Sequence, residues 1–199
     1  MKLINIEKVH SGAFINRYNL SYETRNGNEK IYEIVSHDKS LCISNVPNVD
    51  NINAVIIVAV NNDFSKICIN KEFRLSVNSH VFNLPAGMVD KNETIEVAAN
   101  RELYEETGLK IKEILHVMQP AYSAIGVCNE RTAIVFCIAD ECEFAPSQDE
   151  TEEIEPVWLT ENEAKEIADY PNCTARTQLV LSLFGSGLFK NYIDTLRKE

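Results

Sequence analysis

Three glutamates, Glu102, Glu105 and Glu106, stand at i, i+3 and i+4. On a helix that spacing puts their carboxylates on one face, about one turn apart. Like charges so placed repel, and at the C-terminal end of a helix they also oppose its dipole. A divalent cation relieves both costs, and hard carboxylate oxygens suit Mg²⁺ or Mn²⁺. Mg²⁺ takes few protein carboxylates and shares phosphate oxygens with its substrate, so the cluster points toward phosphate chemistry. Glu93 and Arg101 lie two helical turns apart, and an internal ion pair between them would tie the loop after Gly87 to the helix.

The helix that carries these residues is expected over 94–107, with Thr94 as N-cap and with Ala98, Ala99 and Leu103 as its apolar stripe. Gly108 stands where a left-handed C-terminal residue belongs. Ahead of it, residues 54–60 are almost continuously apolar, the pattern of a central strand covered on both faces. The turn Asn61-Asn62-Asp63 leads to a strand over 66–73, and a short strand over 81–84 ends at Pro85-Ala86-Gly87. Strands at 111–118, 132–139 and 154–159 follow, then helices at 161–169 and 174–189. Near the N-terminus, residues 16–22, 30–35 and 41–44 read as short strands, the first two joined by Asn26-Gly27-Asn28. The order implies an α+β sandwich with a mixed sheet and a small N-terminal antiparallel β segment. Residues 1–48 form that segment and 49–199 the larger domain.

A chain of 199 residues can bury an adequate core, and 45% hydrophobic with 25% charged residues is ordinary for a soluble fold. No apolar run reaches transmembrane length, so no membrane partner is expected. Residues 1–10 alternate apolar and polar and lack the apolar core of a signal peptide. A net charge of −11 argues against broad nucleic-acid binding, which rests on clustered Lys and Arg. A small anionic ligand can still bind when a metal bridges the two. Six cysteines without CxxC spacing read as reduced thiols, with Cys68 and Cys137 packed inside strands. On these features a cytoplasmic protein is expected.

The segment from Gly87 to Leu109 resembles the Nudix box, G-x5-E-x7-R-E-U-x-E-E-x-G-U with U apolar. Gly87, Glu93, Arg101, Glu102, Leu103, Glu105, Glu106, Gly108 and Leu109 fill every defined position. Chance agreement is on the order of one in a billion per window at ordinary residue frequencies. The resemblance implies a Nudix-type α/β/α sandwich and a loop–helix–loop that holds metal against a diphosphate. Carried over by position, Glu102 and Glu106 would be the principal metal ligands, Glu105 would assist, and the Ala86 carbonyl would add a backbone ligand. Gly87, Glu93, Arg101 and Gly108 would be structural. The reaction is attack of water on phosphorus in a nucleoside diphosphate linked to another group.

Flanking features are similar to the ADP-ribose pyrophosphatase branch. Lys71-Glu72-Phe73-Arg74 is followed by Asn83-Leu84-Pro85-Ala86-Gly87, and Arg74 would reach the substrate phosphates. The acidic stretch before Trp158 and Leu159, starting at Asp149, resembles a loop whose glutamate serves as general base. Alignment on Ile154 puts that role on Glu150, with Glu152 and Glu153 as rivals. The loop after the box has Ile125 where the branch usually has proline, with Gly126 and Glu130 in register as contacts to substrate, and Glu130 also as a further metal contact. Tyr18 or Tyr32 would stack on an adenine, unless they belong to the sheet's own core. The branch commonly forms a homodimer that exchanges its N-terminal segment. The resemblance therefore implies a dimeric Mg²⁺-dependent hydrolase of ADP-ribose. GDP-mannose, other sugar nucleotides and NADH are alternative substrates, and a non-catalytic nucleotide-binding regulator is the alternative from another class.

Overall fold

The computed structural model describes residues 1–46, 51–147 and 150–197. Its first elements are β1 (Lys2–Ser11), β2 (Asn16–Glu23), β3 (Glu29–Ser36), β4 (Ala54–Val60), β5 (Lys66–Arg74), β6 (Ser79–Asn83) and β7 (Ala86–Met88). Helix α1 (Ile95–Thr107) follows, then β8 (Ile111–Val117), β9 (Ala121–Tyr122), β10 (Arg131–Ala139) and β11 (Ile154–Thr160). The chain closes with α2 (Glu161–Ala168), α3 (Ala175–Gly185) and α4 (Phe189–Leu196). Two compact units result, Met1–Asn53 with Pro120–Thr132, and Ala54–Gln119 with Ala133–Glu199.

The first unit contains a three-stranded antiparallel sheet in the order β1-β2-β3. Strand β1 grows from the alternation of residues 1–10, which the sequence reading used only to exclude a signal peptide. The expected strand over 41–44 does not form. Ile43–Asn45 is instead a single 3-10 turn, closed by the Asn45 side chain accepting from Cys42 N at 2.7 Å. Tyr18, Leu20, Ile34 and Leu41 make the small core of this unit. The segment Pro120–Thr132 joins it because Val35 N donates to Val127 O and Asn53 N donates to Arg131 O, both at 2.9 Å. The first unit thus extends to Asn53, while the expected boundary between 48 and 49 lies outside the described residues.

The second unit is built on a mixed sheet in the order β11-β5-β4-β10-β8, with β6 paired to β5 and β7 to β4. Strand β4 is central because all seven of its side chains are apolar, and six of them are buried. Ile56, Val58 and Val60 join the core that Leu181, Phe184, Phe189 and Ile193 complete from α3 and α4. Val55, Ile57 and Ala59 point to the opposite face, on which α1 packs across β4 and β7. The sequence pattern places a single helix over 174–189, but two are present. Gly187 at φ +76° turns the chain between α3 and α4, and both sides keep their apolar residues in the core. All six cysteines are free thiols, with Cys68 and Cys137 buried. Among the described residues no helix is long and apolar enough to cross a membrane.

Candidate active site

Helix α1 begins at Thr94, whose hydroxyl accepts from Val97 N, and stops at Gly108, which takes φ +79° and donates to Tyr104 O at 2.7 Å. Ala98, Ala99, Leu103 and Thr107 are its buried face. The acidic face lies over the loop that follows β7. There Arg101 gathers the site. Its Nε and Nη2 donate to both oxygens of Glu93 at 3.0 and 2.9 Å, and Nη2 also donates to Met88 O at 2.9 Å. Its Nη1 donates to Glu102 at 2.8 Å and Glu105 at 3.0 Å. The hydrogen bonds from Arg101 hold the Glu93 carboxyl below the ordinary glutamate range. Glu93 in turn accepts from Asp90 N, so one carboxylate fixes both the loop and the helix.

Gly87 is required by close approach. A Cβ there would fall 1.9 Å from the Glu102 carboxyl carbon, so any side chain would displace that carboxylate. Glu106 turns inward. One of its oxygens, Oε2, accepts from Asn70 Nδ2 at 2.8 Å and from Ala86 N at 3.1 Å. Loss of water pushes its pKa well above the usual value, and the neighbouring charges of Glu72 and Glu102 push in the same direction. Glu102 is raised as well, by burial first and by Glu105 and Glu93 after it, against the pull of Arg101. Among the described residues no three acidic, His or Cys side chains already form a metal-holding group. Glu102 and Glu105 share Arg101, while Glu106 is tied to β5 and β7. The donors nonetheless suit a hard divalent cation: all are oxygens, and two carboxylates carry charge that burial and repulsion penalise.

Residues 50–177 match the NUDIX domain family. The chain belongs to the Nudix family. It is 31% identical over 160 residues to the ADP-ribose pyrophosphatase of Bacillus subtilis (strain 168), a match covering 80% of this chain and 77% of that protein. It is 28% identical over 164 residues to the methanol dehydrogenase activator of Bacillus methanolicus, covering 82% and 80%. The crystal structure of an ADP compounds hydrolase superimposes with a TM-score of 0.73 at 21% identity, covering 96% of each chain, and so shares the fold. This Nudix protein is a hydrolase that resembles the ADP-ribose pyrophosphatase branch.

The other residues singled out by the Nudix pattern fall into both units. In the second, Arg74 ends β5 as an exposed side chain, with Nη1 3.6 Å from Glu72 Oε2. Glu150, Glu152 and Glu153 are all exposed, and Asp149 lies outside the described residues. Glu153 O accepts from Phe73 N at 2.9 Å, and its carboxylate stands 3.6 Å from His80 Nε2. In the first unit, Glu130 Oε2 stands 3.5 Å from His37 Nε2, and Gly126 O accepts from Tyr32 Oη at 2.6 Å. Ile125 is 71% exposed. Tyr18 corrects the sequence reading. It is 1% exposed in the sheet core and its hydroxyl donates to Asp38 O, so its ring has no free face for a base. The sequence reading missed Asn70, Asn83 and the burial of Glu72. A faint signal was present: Asn70, Glu72 and Arg74 fall on one face of β5, after the apolar run Ile67-Cys68-Ile69.

Proposed function

We propose that this protein hydrolyses the pyrophosphate of a nucleoside diphosphate linked to a sugar, using Mg²⁺ or Mn²⁺, and that ADP-ribose, cut to AMP and ribose 5-phosphate, is its substrate. The observation that carries the chemistry is the inward Glu106, fixed by Asn70 and Ala86 N, beside Glu102 pressed against Gly87. The choice of substrate is supported by the likeness to the Bacillus subtilis ADP-ribose pyrophosphatase.

Glu102 and Glu106, with help from Glu105 and the Ala86 carbonyl, would hold the cation. When bound, it polarises phosphate oxygens and lowers the pKa of the attacking water. Two fixed donors orient Glu106 before any ligand arrives. Arg101 and Glu93 keep the loop from Met88 to Glu93 closed against α1. Arg74 offers a planar fork of donors to the diphosphate. A carboxylate of the acidic loop, assigned to Glu150 ahead of Glu152 and Glu153, accepts the proton of the attacking water. The new P–O bond forms from that water, and the bridging P–O bond breaks with its electron pair leaving on the departing phosphate. Gly126, Glu130 and Tyr32 are assigned to the sugar and base, with Glu130 also available to a metal.

The N-terminal β segment, residues 1–48, is assigned to a homodimer in which it exchanges between partners. Supporting this are apolar side chains left exposed in the first unit, among them Phe14 at 84% and Ile31 at 52%. Free thiols fit a reducing, cytoplasmic setting. A second substrate reading follows from Ile125, exposed at a position where the branch usually has a proline that would stiffen the loop. GDP-mannose, another sugar nucleotide or NADH would then be preferred. Ion-exchange separation of products from ADP-ribose, GDP-mannose, UDP-glucose, NADH and a dinucleoside polyphosphate with Mg²⁺ tests both. AMP and ribose 5-phosphate as the fastest products support the first reading, and a preference for another compound replaces it.

A further inference from the structure

Asn70, Glu72 and Arg74 alternate along β5, so they share one face of the strand. The stripe starts at Asn70, bonded to Glu106, and ends at the exposed Arg74. Between them Glu72 is only 5% exposed. One of its oxygens accepts from Asn83 Nδ2 at 2.8 Å. The orientation of the Asn83 amide is itself set, because its Oδ1 accepts from the hydroxyls of Thr174 at 3.1 Å and Thr177 at 3.3 Å. Those hydroxyls stand 2.8 Å apart at the start of α3, and Thr177 Oγ1 also accepts from Leu84 N. The chain of bonds therefore fixes Glu72 Oε1 from behind and leaves Oε2 facing Arg74.

A carboxylate in this place has a cost. Glu72 is taken out of water among the residues that pack this face. An apolar residue would serve the core better, so the charge calls for a role outside packing. Among the described residues, the cation that meets it is Arg74, with Nη1 3.6 Å from Glu72 Oε2. We propose that Glu72 is a positioning residue: oriented by Asn83 and the threonines that open α3, it aims the Arg74 guanidinium at the substrate's diphosphate. This inference rests on the assignment of Arg74 as a phosphate ligand.

A double-mutant cycle tests it, with KM and kcat for ADP-ribose measured at saturating Mg²⁺ on the wild-type chain, Glu72→Gln, Arg74→Ala and the double variant. Glutamine keeps the size of the side chain and an oxygen for Asn83, and replaces the charged oxygen facing Arg74 by a neutral NH2 donor. Glu72→Gln raises KM about tenfold with kcat changed by less than about threefold, the signature of lost ground-state binding. Arg74→Ala raises KM at least as much, and adding Glu72→Gln to it brings no further rise. If the two effects multiply instead, Glu72 acts independently of Arg74 and the inference is overturned, while the phosphate role of Arg74 survives. If Arg74→Ala leaves KM unchanged, the assignment of Arg74 fails and the inference falls with it. Should Glu72→Gln not fold, Glu72→Asp, which withdraws the charge by one methylene, takes its place in the cycle with the same expected non-additivity.

Discussion

Replacing Arg101 by alanine should destabilise the fold before it touches the chemistry. The side chain is 30% exposed and makes five hydrogen bonds, two of them a bidentate pair with Glu93, whose side chain is 10% exposed. A hydrogen bond to a charged group contributes a net ~1.5–3 kcal/mol when sheltered. The Glu105 contact is discounted to ~0–1 kcal/mol because that carboxylate is 47% exposed. The contacts are not additive, since one guanidinium serves them all, so a total loss of about 3 kcal/mol is the reasonable scale. For a chain of this size that lowers Tm by roughly 6–12 °C. Scanning calorimetry in EDTA at neutral pH is the assay. Arg101→Lys keeps the charge without the fork and should lose about half as much. The pH dependence has a definite sign. Arg101 depresses the folded-state pKa of Glu93, so this stabilisation is present above the unfolded glutamate pKa and is lost as pH falls through the depressed value. The gap between wild type and variant should therefore close in acid. A normal Tm with activity lost would refute the reasoning and move Arg101 from the loop clamp to the reacting groups.

The box was legible because its parts are local. Thr94, Gly108 and the carboxylates at i, i+3 and i+4 all act within one helix, and the Glu93–Arg101 pair spans only eight residues. The central strand was equally plain, since continuous apolarity over Ala54–Val60 leaves few other readings. What stayed hidden depends on distant partners. Asn83 acquires its meaning from Thr174 and Thr177, about ninety residues on, and Glu72 from Asn83. Strand β7 is three residues long and follows a proline, so only its pairing with Ile56, Val55 and Ala54 reveals it. The break between α3 and α4 was masked because apolar residues continue across Gly187. Alternation also could not tell which face of a strand would be covered, which is why Tyr18 and Tyr32 looked equivalent. One is buried and the other is 40% exposed.

Two further predictions concern the same site. Gly87→Ala should fold but lose most of its turnover, because the new methyl would occupy the place of the Glu102 carboxylate. Circular dichroism and a kcat measurement with ADP-ribose check this, and full activity would show that Glu102 is dispensable in its present position. The rise in Tm on adding saturating Mg²⁺ should grow with pH. Glu102 and Glu106 have folded-state pKa values above the unfolded ones, so the metal-free fold loses stability as pH rises from the unfolded value through the raised ones. A cation competes with those same protons and binds better as they leave. Paired thermal scans with EDTA and with Mg²⁺ across that window read the difference. A shift independent of pH would mean that neither carboxylate binds the metal.

The most direct test of the proposed metal-dependent reaction is the turnover of Glu106→Gln with ADP-ribose and Mg²⁺, taken together with its melting temperature. The glutamine carbonyl can accept the same bonds from Asn70 and Ala86 N, and the penalty of burying a charge disappears, so the fold should be kept or slightly strengthened. Turnover should fall by about three orders of magnitude, with a weaker response to Mg²⁺. Near-normal turnover in a well-folded Glu106→Gln protein would contradict the assignment of the site.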